Sequence, residues 1–341
     1  MKQLAEQIGV SQPLISMVLN DRWRENRISE QTRERVLKKL EQLNFRPNRL
    51  ATSLRNKRTD TVGILVPNIR GEMYHEILGG VETAMAADFN IHLGVSEYDL
   101  VRERGLIVSF LERRVDGLIW VLADTEQEQP LLHEIARKKI PLVLVDRRHR
   151  EARTSYVGSN HTKTGRIAAE HLLTMGYRHL VFVSHLPHAR LRNTMLSDRL
   201  IAFEAAAKKA GATFEVFEVN PADHGNDLVK CGRVVAEHLR SVSAPSGLHV
   251  MQPTIAASVA VSCRNIGIDV PQQVGVLAVE GTPDNELLVV PLSVMRQSLR
   301  KIGNTAGEIL RGMIDGTIPP DQIEQVELDV ELVPNRSTQR V

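Results

Sequence analysis

At 341 residues, with 42% hydrophobic and 25% charged residues, the chain is long enough for two or three globular domains and is not composed like a disordered protein. No apolar run approaches the roughly 20 residues that span a bilayer, so we expect a cytoplasmic protein that binds no membrane. Residues 1–58 carry 13 Lys and Arg against 6 Asp and Glu, a net charge of +7, whereas residues 59–341 carry 30 against 35, a net charge of −5. The basic segment indicates either contact with a polyanion or merely a solvated face.

The first 58 residues contain no strand pattern and predict three short helices. In "KQLAEQIGV" the apolar residues share one helical face before Gly9 interrupts it. Ser11 is suited to cap a second helix, and Ser29 or Thr32 a third, in "SEQTRERVLKKLEQLNF". Two short helices joined by a turn that contains glycine are typical of a helix-turn-helix. The apolar side chains expected to form its core are Leu4, Ala5, Ile8, Leu14, Ile15, Val18, Leu19, Val36, Leu40 and Leu43.

A short basic segment, "FRPNRLATSLRNKRTD" (45–60), follows the three helices. Pro47 is suited to the start of a helix, and Leu50, Ala51 and Leu54 would share one face of it. So short a helix is marginal alone in water. If it forms, another element must pair with it or hold it.

From Thr59 onward, short apolar runs alternate with helix-length stretches such as "TKTGRIAAEHLLTMG" and "LIAFEAAAKKAG". This alternation predicts parallel sheets with helices on both faces. Eight or more strands over about 280 residues require two such sheets, and ligands of open α/β sheets bind outside the carboxyl ends of the strands. The predicted strands are 61–67, 90–96, 116–123, 140–146, 178–184, 213–219, 247–251 and 274–280.

Two facing lobes with a ligand cleft between them are therefore expected. We place the division near residue 160 and expect "PLSVMRQS" (291–298) to return the chain to the first half. The carboxyl-terminal "VELDVELVPNRSTQRV" alternates like a final strand, and no leucine heptad follows it. The predicted division is a helix-turn-helix head at 1–46, a hinge or linker at 47–58 and a core at 59–341, with lobe one at about 59–160 plus 291–320 and lobe two at about 161–290 plus 321–341.

Several segments resemble the lactose-repressor (LacI/GalR) family of bacterial transcription regulators, in an order and spacing that cover nearly the whole chain. The resemblance implies an all-α helix-turn-helix head, a hinge helix and an α/β core like that of periplasmic sugar-binding proteins, acting as a homodimer on a roughly palindromic double-stranded DNA operator. We expect no cofactor and no metal. The segments are "LAEQIGVSQPLISMVLN", "ISEQTRERVLKKLEQLNFRPNRLATSLR", "TVGILVPNI", "RRVDGLIWV", "IPLVLVDRR", "GSNHTKTGRIAAEHLLTMGYRHLVFV", "RLIAFEAAAKKAG" and "PLSVMRQSL".

The resemblance makes the helix that starts at Ser11 the DNA-recognition helix, with Ser16 and Asn20 in reach of phosphates. It places Leu54 where the family inserts an apolar wedge into the minor groove at the centre of the operator. Two hinge helices side by side through Ala51 would then be stable only on DNA. The further hinge residues with implied DNA contacts are Asn48, Arg49, Arg55, Lys57 and Arg58.

The recognition helix departs from the family pattern, because Pro13, Leu14 and Met17 stand where polar residues are common. Gln12 is its one evident base-reading side chain, and no Arg is present to bind guanine. Leu14 and Met17 would contact thymine methyl groups or, alternatively, pack inside the head. The loop "DRWRENR" (21–27) is a candidate clamp on the DNA backbone through Arg24 and its neighbours, unless Trp23 only covers the helix packing.

In the core, Arg199 matches the family's sugar-binding arginine; the alternative is a surface ion pair with Asp198 or Glu204. Other ligand positions differ from the family pattern, because Gln252-Pro253 and Glu280-Gly281 replace its usual Asn-Asp and Asp-Asp pairs. A sugar or sugar acid is the expected effector. The side chains expected to face it are Asn68, Glu72, Tyr74, Arg147, Asn160, Arg199, Gln252 and Glu280.

Three other functions compete with an effector-controlled regulator. An enzyme would leave the basic head unexplained, and the sequence contains no P-loop, dinucleotide-binding, nucleophile-elbow or zinc-protease motif. His185 and His188 lack further metal ligands, and Cys231 and Cys263 are expected core residues. A periplasmic receptor would have a signal peptide and no helix-turn-helix. A regulator of the same fold that has no small-molecule effector, or that responds to a protein partner, is the third alternative.

Overall fold

The structure is a computed structural model that describes residues 2–19, 22–43, 58–124, 128–186, 194–242, 245–281 and 284–340. The chain divides into two compact units, Met1–Thr59 and Asp60–Val341. No helix in these ranges is both long and apolar enough to cross a membrane. We call the first unit the head and the second unit the core.

The described residues of the head form three helices, as predicted: α1 (Lys2–Ile8), α2 (Gln12–Leu19) and α3 (Glu30–Gln42). Gly9 ends α1 with a φ of +74°, a backbone conformation that glycine adopts without strain. Ser29 caps α3 by accepting a hydrogen bond from the backbone N–H of Thr32. The buried side chains that hold the helices together are Ala5, Ile8, Ile15, Val18, Trp23, Val36 and Leu40.

Within the ranges that the structure describes, the core contains two six-stranded sheets. Its strands in chain order are β1 (Thr61–Val66), β2 (Asn90–Val95), β3 (Gly117–Trp120), β4 (Leu142–Val145), β5 (Ser155–Ser159), β6 (His179–Ser184), β7 (Thr213–Glu218), β8 (Ser246–Val250), β9 (Val274–Val279), β10 (Ser293–Arg296), β11 (Gln325–Leu328) and β12 (Glu331–Val333). Its helices are α4 (Glu72–Met85), α5 (Leu100–Glu112), α6 (Gln129–Arg137), α7 (His161–Thr174), α8 (Thr194–Lys209), α9 (Leu228–Leu239), α10 (Pro253–Asn265) and α11 (Leu299–Asp315).

Lobe one is built on a fully parallel sheet of order β11-β5-β4-β3-β1-β2. Helices α4 and α11 cover one face through a cluster that includes Ile77 and Ile302, and α5 and α6 cover the other through Phe110 and Leu132. Because both faces are covered, the strands are continuous apolar runs, which is why the sequence reveals them. A Cβ atom at Gly303 would collide with the carbonyl oxygen of Ile77, so α4 and α11 pack unusually closely.

Lobe two has the order β12-β10-β9-β8-β6-β7, with β12 antiparallel to β10. Helices α9 and α10 cover one face, and α7 and α8 cover the other. The predicted two-sheet architecture with helices on both faces is confirmed, and the antiparallel edge strand is an addition to it.

The predicted lobe boundaries are wrong near the carboxyl terminus. Residues 293–296 form β10, which pairs with β9 and therefore belongs to lobe two rather than lobe one. The chain returns to lobe one only with α11 and β11. The expected single final strand is two strands, since β11 pairs with β5 in lobe one and β12 with β10 in lobe two.

Candidate functional site

The first turn of α2 lies exposed on the surface of the head. Ser11, Gln12 and Pro13 are exposed, and the backbone N–H of Leu14 points to the Ser11 hydroxyl at 3.4 Å. Ile15 and Val18, on the opposite face of the helix, are buried. The helix is therefore held by its apolar face and presents its amino-terminal turn to solvent.

The other predicted side chains of α2 are half-buried. Leu14 packs against the head core, which supports the packing interpretation of this residue. Ser16 and Met17 are also half-buried, and Met17 is not among the side chains that form the head core. Met17 is therefore not committed to packing in the head core, as Leu14 is.

Trp23 is buried in the head core. It therefore covers the helix packing, which is one of the two roles that the sequence predicts for it. The guanidinium groups of Arg24 and Arg33 lie over its ring, 4.9 Å and 5.3 Å from the centroid. Arg24 is exposed, and Arg22 forms an ion pair of 3.1 Å with Glu25. The indole ring thus holds the Arg24 cation at the surface of the head.

Part of the predicted DNA surface lies outside the described residues. This applies to Asn20 at the end of α2. It also applies to the predicted hinge contacts Asn48, Arg49, Ala51, Leu54, Arg55 and Lys57.

In lobe one, the candidate ligand side chains lie at the carboxyl ends of the strands. Arg147, just after β4, is buried and donates from Nη1 to the carbonyl oxygens of Leu122 (2.8 Å) and Ala123 (3.3 Å). Its Nη2 is 3.4 Å from the hydroxyl of the buried Tyr74. Arg147 is therefore held on several sides by acceptors of its own lobe.

Tyr98 contacts three of the predicted residues of lobe one. Asn68 donates from Nδ2 to the Tyr98 hydroxyl at 3.1 Å, and that hydroxyl is 3.5 Å from the hydroxyl of Tyr74. The Arg147 guanidinium lies 5.7 Å from the Tyr98 ring centroid. Three of the predicted residues are thus brought together by a tyrosine that the sequence analysis did not select.

In lobe two, Arg199 on α8 is buried and donates from Nη2 to the Gln297 side-chain oxygen at 2.9 Å. The expected alternative, an ion pair with Asp198 or Glu204, is wrong. Asp198 pairs with Arg148 and Arg150, and Glu204 pairs with Lys208. A Cβ atom at Gly165 on α7 would collide with the Arg199 carbonyl oxygen, so a glycine lets α8 approach closely enough to bury this side chain.

Burial dominates the electrostatics of this region. It lowers the pKa of Arg199 to about 10, against the opposing effect of Asp146. It also raises the pKa of Asp146, although Arg147 and Arg199 favour the charged form. The pKa of His161 is lowered well below its usual value, first by burial and then by Arg199. His161 is therefore neutral and contacts the Asp146 carbonyl oxygen through Nε2 at 2.9 Å.

A cavity of about 260 Å³ lies between the two lobes. Glu280, directly after β9, lines it and accepts hydrogen bonds from the backbone N–H groups of Gln297 (2.9 Å) and Gly281 (3.4 Å). Burial raises the pKa of Glu280. The lining residues are Glu72, Glu76 and Leu299, Arg300 and Lys301 from lobe one, and Glu280 with Arg296, Gln297 and Ser298 from lobe two and the crossover.

Two predicted ligand residues instead cap helices. Asn160 accepts a hydrogen bond from the backbone N–H of Lys163 at 2.8 Å, at the start of α7. Gln252 accepts one from the backbone N–H of Ile255 at 2.7 Å, at the start of α10. One lone pair of each side-chain oxygen thus satisfies a helix amino terminus, and the side-chain NH2 groups remain as donors. A ligand contact by Asn160 or Gln252 stays a prediction.

The sequence analysis missed Tyr98, Asp146 and Gln297. Each follows the carboxyl end of a strand, respectively β2, β4 and β10. The rule that ligands bind outside these ends could have selected all three. Gln297 was missed because β10 was assigned to the wrong lobe.

The structure describes both cysteines and one of the two histidines that the sequence singles out. Cys231 and Cys263 are buried and free. His185 is half-buried and burial lowers its pKa to about 4, whereas His188 lies outside the described residues. In the ranges that the structure describes, no group of three or more His, Cys, Asp or Glu side chains is placed to hold a metal ion.

Family models match both units of the chain. Residues 1–48 match the model for bacterial regulatory proteins of the lacI family, and residues 62–222 and 169–338 match models for a periplasmic binding protein domain and a periplasmic binding protein-like domain. Over 311 residues the chain is 26% identical to the HTH-type transcriptional repressor PurR of Photobacterium profundum, an alignment covering 91% of this chain and 90% of that protein. The chain belongs to the LacI family. It is a DNA-binding transcriptional regulator, and the enzyme and periplasmic-receptor interpretations are set aside.

Solved structures of LacI-family proteins share the fold along nearly the whole chain. A transcriptional regulator from Silicibacter pomeroyi superposes with a TM-score of 0.79 at 24% identity, over 99% of both chains. The Lac repressor dimer bound to operator and the anti-inducer ONPF superposes with a TM-score of 0.82 at 19% identity, over 99% of this chain and 98% of that chain. The architecture predicted from the sequence, a three-helix head and a periplasmic-binding-protein-like core, is that of the family.

Proposed function

We propose that this LacI-family protein is a repressor that binds a palindromic operator through the first turn of α2. The observation that carries the proposal is the exposure of Ser11, Gln12 and Pro13 on a helix whose opposite face is buried. Such a turn can enter a major groove without disturbing the head core. Gln12 supplies an amide that can pair with adenine, and the half-buried Met17 supplies an apolar contact to a thymine methyl group.

The basic surface of the head supports binding to phosphates. Arg24 is exposed and stacked on Trp23, which restricts its motion before DNA is bound. Contacts of this kind add affinity without sequence preference and are weakened by salt. We expect Arg24 and the basic residues of the hinge to supply the affinity that does not depend on DNA sequence. We expect the sequence preference to come from Gln12, Met17 and the base step into which Leu54 is inserted.

We further propose that a small sugar-like effector binds between the two lobes and alters operator affinity. The cavity is lined from both lobes, so a ligand in it contacts both lobes at once. Differential affinity of such a ligand for two lobe arrangements is what an allosteric effector requires. The side chains available to it are Glu72 and Glu280 at the cavity and Arg199 behind Gln297.

The active form is proposed to be a homodimer that uses the α9 and α10 side of lobe two. Val229 and Val261 on these helices are exposed, and so are Leu287 and Val289 on the loop after β9. Leu288 and Val290 alternate with the last two and pack inward against the same core cluster, so all four outward side chains lie on one side of the lobe. An apolar patch of this kind is typical of an interface.

The test is a fluorescence-anisotropy titration of the full chain against an operator selected from random duplexes. Gln12→Ala should weaken operator binding by about tenfold, the loss of roughly one bidentate base contact. Gln42→Ala, at an exposed position near the end of α3, is the matched control and should bind like the parent. With roughly six phosphate contacts, the logarithm of the affinity should fall against the logarithm of salt concentration with a slope of about −5. Equal operator binding by the parent and Gln12→Ala would refute the proposal that the first turn of α2 contacts operator bases.

A further inference from the structure

The first turns of α8 in lobe two contact the segment that follows β4 in lobe one. Thr194 and Asp198 are four residues apart on α8, so they lie on one face of the helix. Arg148 and Arg150 come shortly after the end of β4. We call these four residues the interlobe contact.

Both carboxylate oxygens of Asp198 take part in this contact. Oδ2 lies 3.2 Å from Nη2 of Arg148, and Oδ1 lies 3.1 Å from Nη2 of Arg150. Because the Asp198 side chain is only 14% exposed, water screens these ion pairs less than it screens pairs on an open surface. Two cations of lobe one thus converge on one carboxylate of lobe two.

The Thr194 hydroxyl adds two hydrogen bonds with the backbone of Arg148. It accepts from the backbone N–H at 3.2 Å and donates to the backbone carbonyl oxygen at 3.0 Å. The Thr194 side chain is buried. Since one hydroxyl satisfies both backbone groups of a single residue, the contact fixes the position of the backbone as well as pairing its charges.

Arg148 is also anchored to the sheet of its own lobe. Its Nη1 lies 3.0 Å from a carboxylate oxygen of Glu327 on β11. Its guanidinium lies over the ring of Tyr156 on β5, 5.7 Å from the centroid. Strands β5 and β11 are paired neighbours in the lobe-one sheet. A movement of α8 is therefore resisted by that sheet and not by the segment after β4 alone.

At the cavity between the lobes, the charges have a different arrangement. Glu72 of lobe one and Glu280 of lobe two both line the cavity and carry the same charge. Burial is the largest cause of the raised pKa of Glu280, and Glu72 is close enough to raise it further. These two carboxylates do not draw the lobes together, whereas the ion pairs of Asp198 do.

We propose that the interlobe contact is a latch that holds the two lobes in one arrangement without any ligand, and that it thereby sets the operator affinity of the effector-free protein. An allosteric regulator needs two arrangements whose populations its own contacts determine. Ion pairs between two moving bodies suit this role, because they are repacked when the bodies rotate or separate. The inference goes beyond the proposed function, since it requires no effector.

The test uses the full chain without ligand, in which Asp198→Asn removes the charge and keeps the size of the side chain. Hydrogen exchange at the backbone N–H of Arg148 should become about three- to tenfold faster, as expected for the loss of two partly exposed ion pairs. Operator affinity, measured by fluorescence anisotropy, should change by about threefold or more. Arg150→Gln should give part of both effects alone and add nothing in the Asp198→Asn background, where its ion pair is already broken.

Glu170→Gln is the matched control, since Glu170 forms an ion pair of 2.9 Å with Arg166 within α7 of lobe two. It should leave both measurements unchanged. Thr194→Val, which removes the hydroxyl, should shift operator affinity in the same direction as Asp198→Asn. The inference is overturned if Asp198→Asn leaves operator affinity at the parent's value, as a purely local role would. It is also overturned if Thr194→Val shifts that affinity in the opposite direction, or if Glu170→Gln acts like Asp198→Asn.

Discussion

Glu128 gives lobe one a pH-dependent stability that a single substitution should remove. The carboxyl group is fully buried just before α6, and neither of its oxygens accepts a hydrogen bond. Its nearest cation is Arg104, with Nε at 3.6 Å from Oε1, and that side chain is about half exposed. Burial, together with the neighbouring Glu103, raises the pKa of Glu128 from 4.5 to about 7. The folded protein therefore holds a proton on Glu128 that the unfolded chain releases more readily.

The sign and size of the effect follow from proton linkage. Between pH 4.5 and pH 7 the folded state binds more protons at this site than the unfolded state, so the free energy of unfolding falls as pH rises. The stabilisation that comes from proton binding at Glu128 is lost progressively as the pH rises through this window. Above the window, the effect of Glu128 on stability no longer changes with pH. The difference between a pKa of 4.5 and one of about 7 corresponds to about 3 kcal/mol at pH 8. Glu128→Gln should thus stabilise the core by up to about 3 kcal/mol at pH 8 and change it little at pH 4.5.

Urea unfolding followed by the fluorescence of Trp120, which is buried in lobe one, measures this difference. A Trp23→Phe background removes the signal of the head. Glu134→Gln on α6 is the matched control, since Glu134 forms an ordinary surface ion pair of 3.0 Å with Lys138. It should change stability by less than about 1 kcal/mol at both pH values. The reasoning is refuted if Glu128→Gln has the same effect at pH 4.5 and pH 8, or if it destabilises the protein at pH 8.

Three further substitutions test other parts of the account. Leu54→Ala should weaken operator binding by about tenfold, or about 1.4 kcal/mol, and leave the thermal unfolding of the core unchanged. If the variant binds the operator as tightly as the parent, Leu54 does not act as a wedge in the minor groove. Leu287→Glu should raise the dimer dissociation constant about 30-fold in sedimentation experiments, whereas Ile201→Glu, exposed on the other side of lobe two, should not. Gly165→Val should lower the free energy of unfolding, measured by urea titration, by about 1–3 kcal/mol. The reason is that the new Cβ atom meets the Arg199 carbonyl oxygen. A variant as stable as the parent would show that α7 and α8 can move apart without a loss of stability.

Much of the fold is readable from the sequence because parallel strands covered on both faces are continuous apolar runs. All eight predicted strands are present, most with small changes at their ends, and the predicted strands 116–123 and 140–146 are shortened to four residues each. Strand β5, "SYVGS", was missed because three of its five residues are Ser or Gly and only Tyr156 and Val157 are apolar, although all five are buried and β5 lies between β4 and β11. Its burial comes from neighbours that are distant in sequence, which periodicity does not report.

The sequence could not predict which lobe each of the last strands belongs to, for a related reason. The alternation in residues 325–333 is continuous in the sequence, yet β11 and β12 pair with strands of different sheets. Pairing is decided by where the crossovers run, and a pattern with a period of two carries no information on that. The consequence for the site was that Gln297 was overlooked.

In the cleft, residue type and the family resemblance identified the charged groups but not their roles. Arg147, Arg199, Glu72 and Glu280 were selected, and the structure adds which of them are already satisfied. Asn160 has the same kind of amide as Asn68, but its oxygen caps α7. Whether a polar atom is free depends on the backbone N–H groups around it, and only the folded chain shows them.

The central claim, that the exposed first turn of α2 reads a palindromic operator, is tested most directly by selection of bound duplexes from a random DNA pool with the full chain. The account predicts enrichment of one two-fold symmetric sequence, with half-sites arranged for a dimer. It also predicts that Gln12→Ala relaxes the preference at one position in each half-site, and that Gln42→Ala enriches the same sequence as the parent. Recovery of no symmetric sequence, or of an identical sequence by Gln12→Ala, would contradict the account.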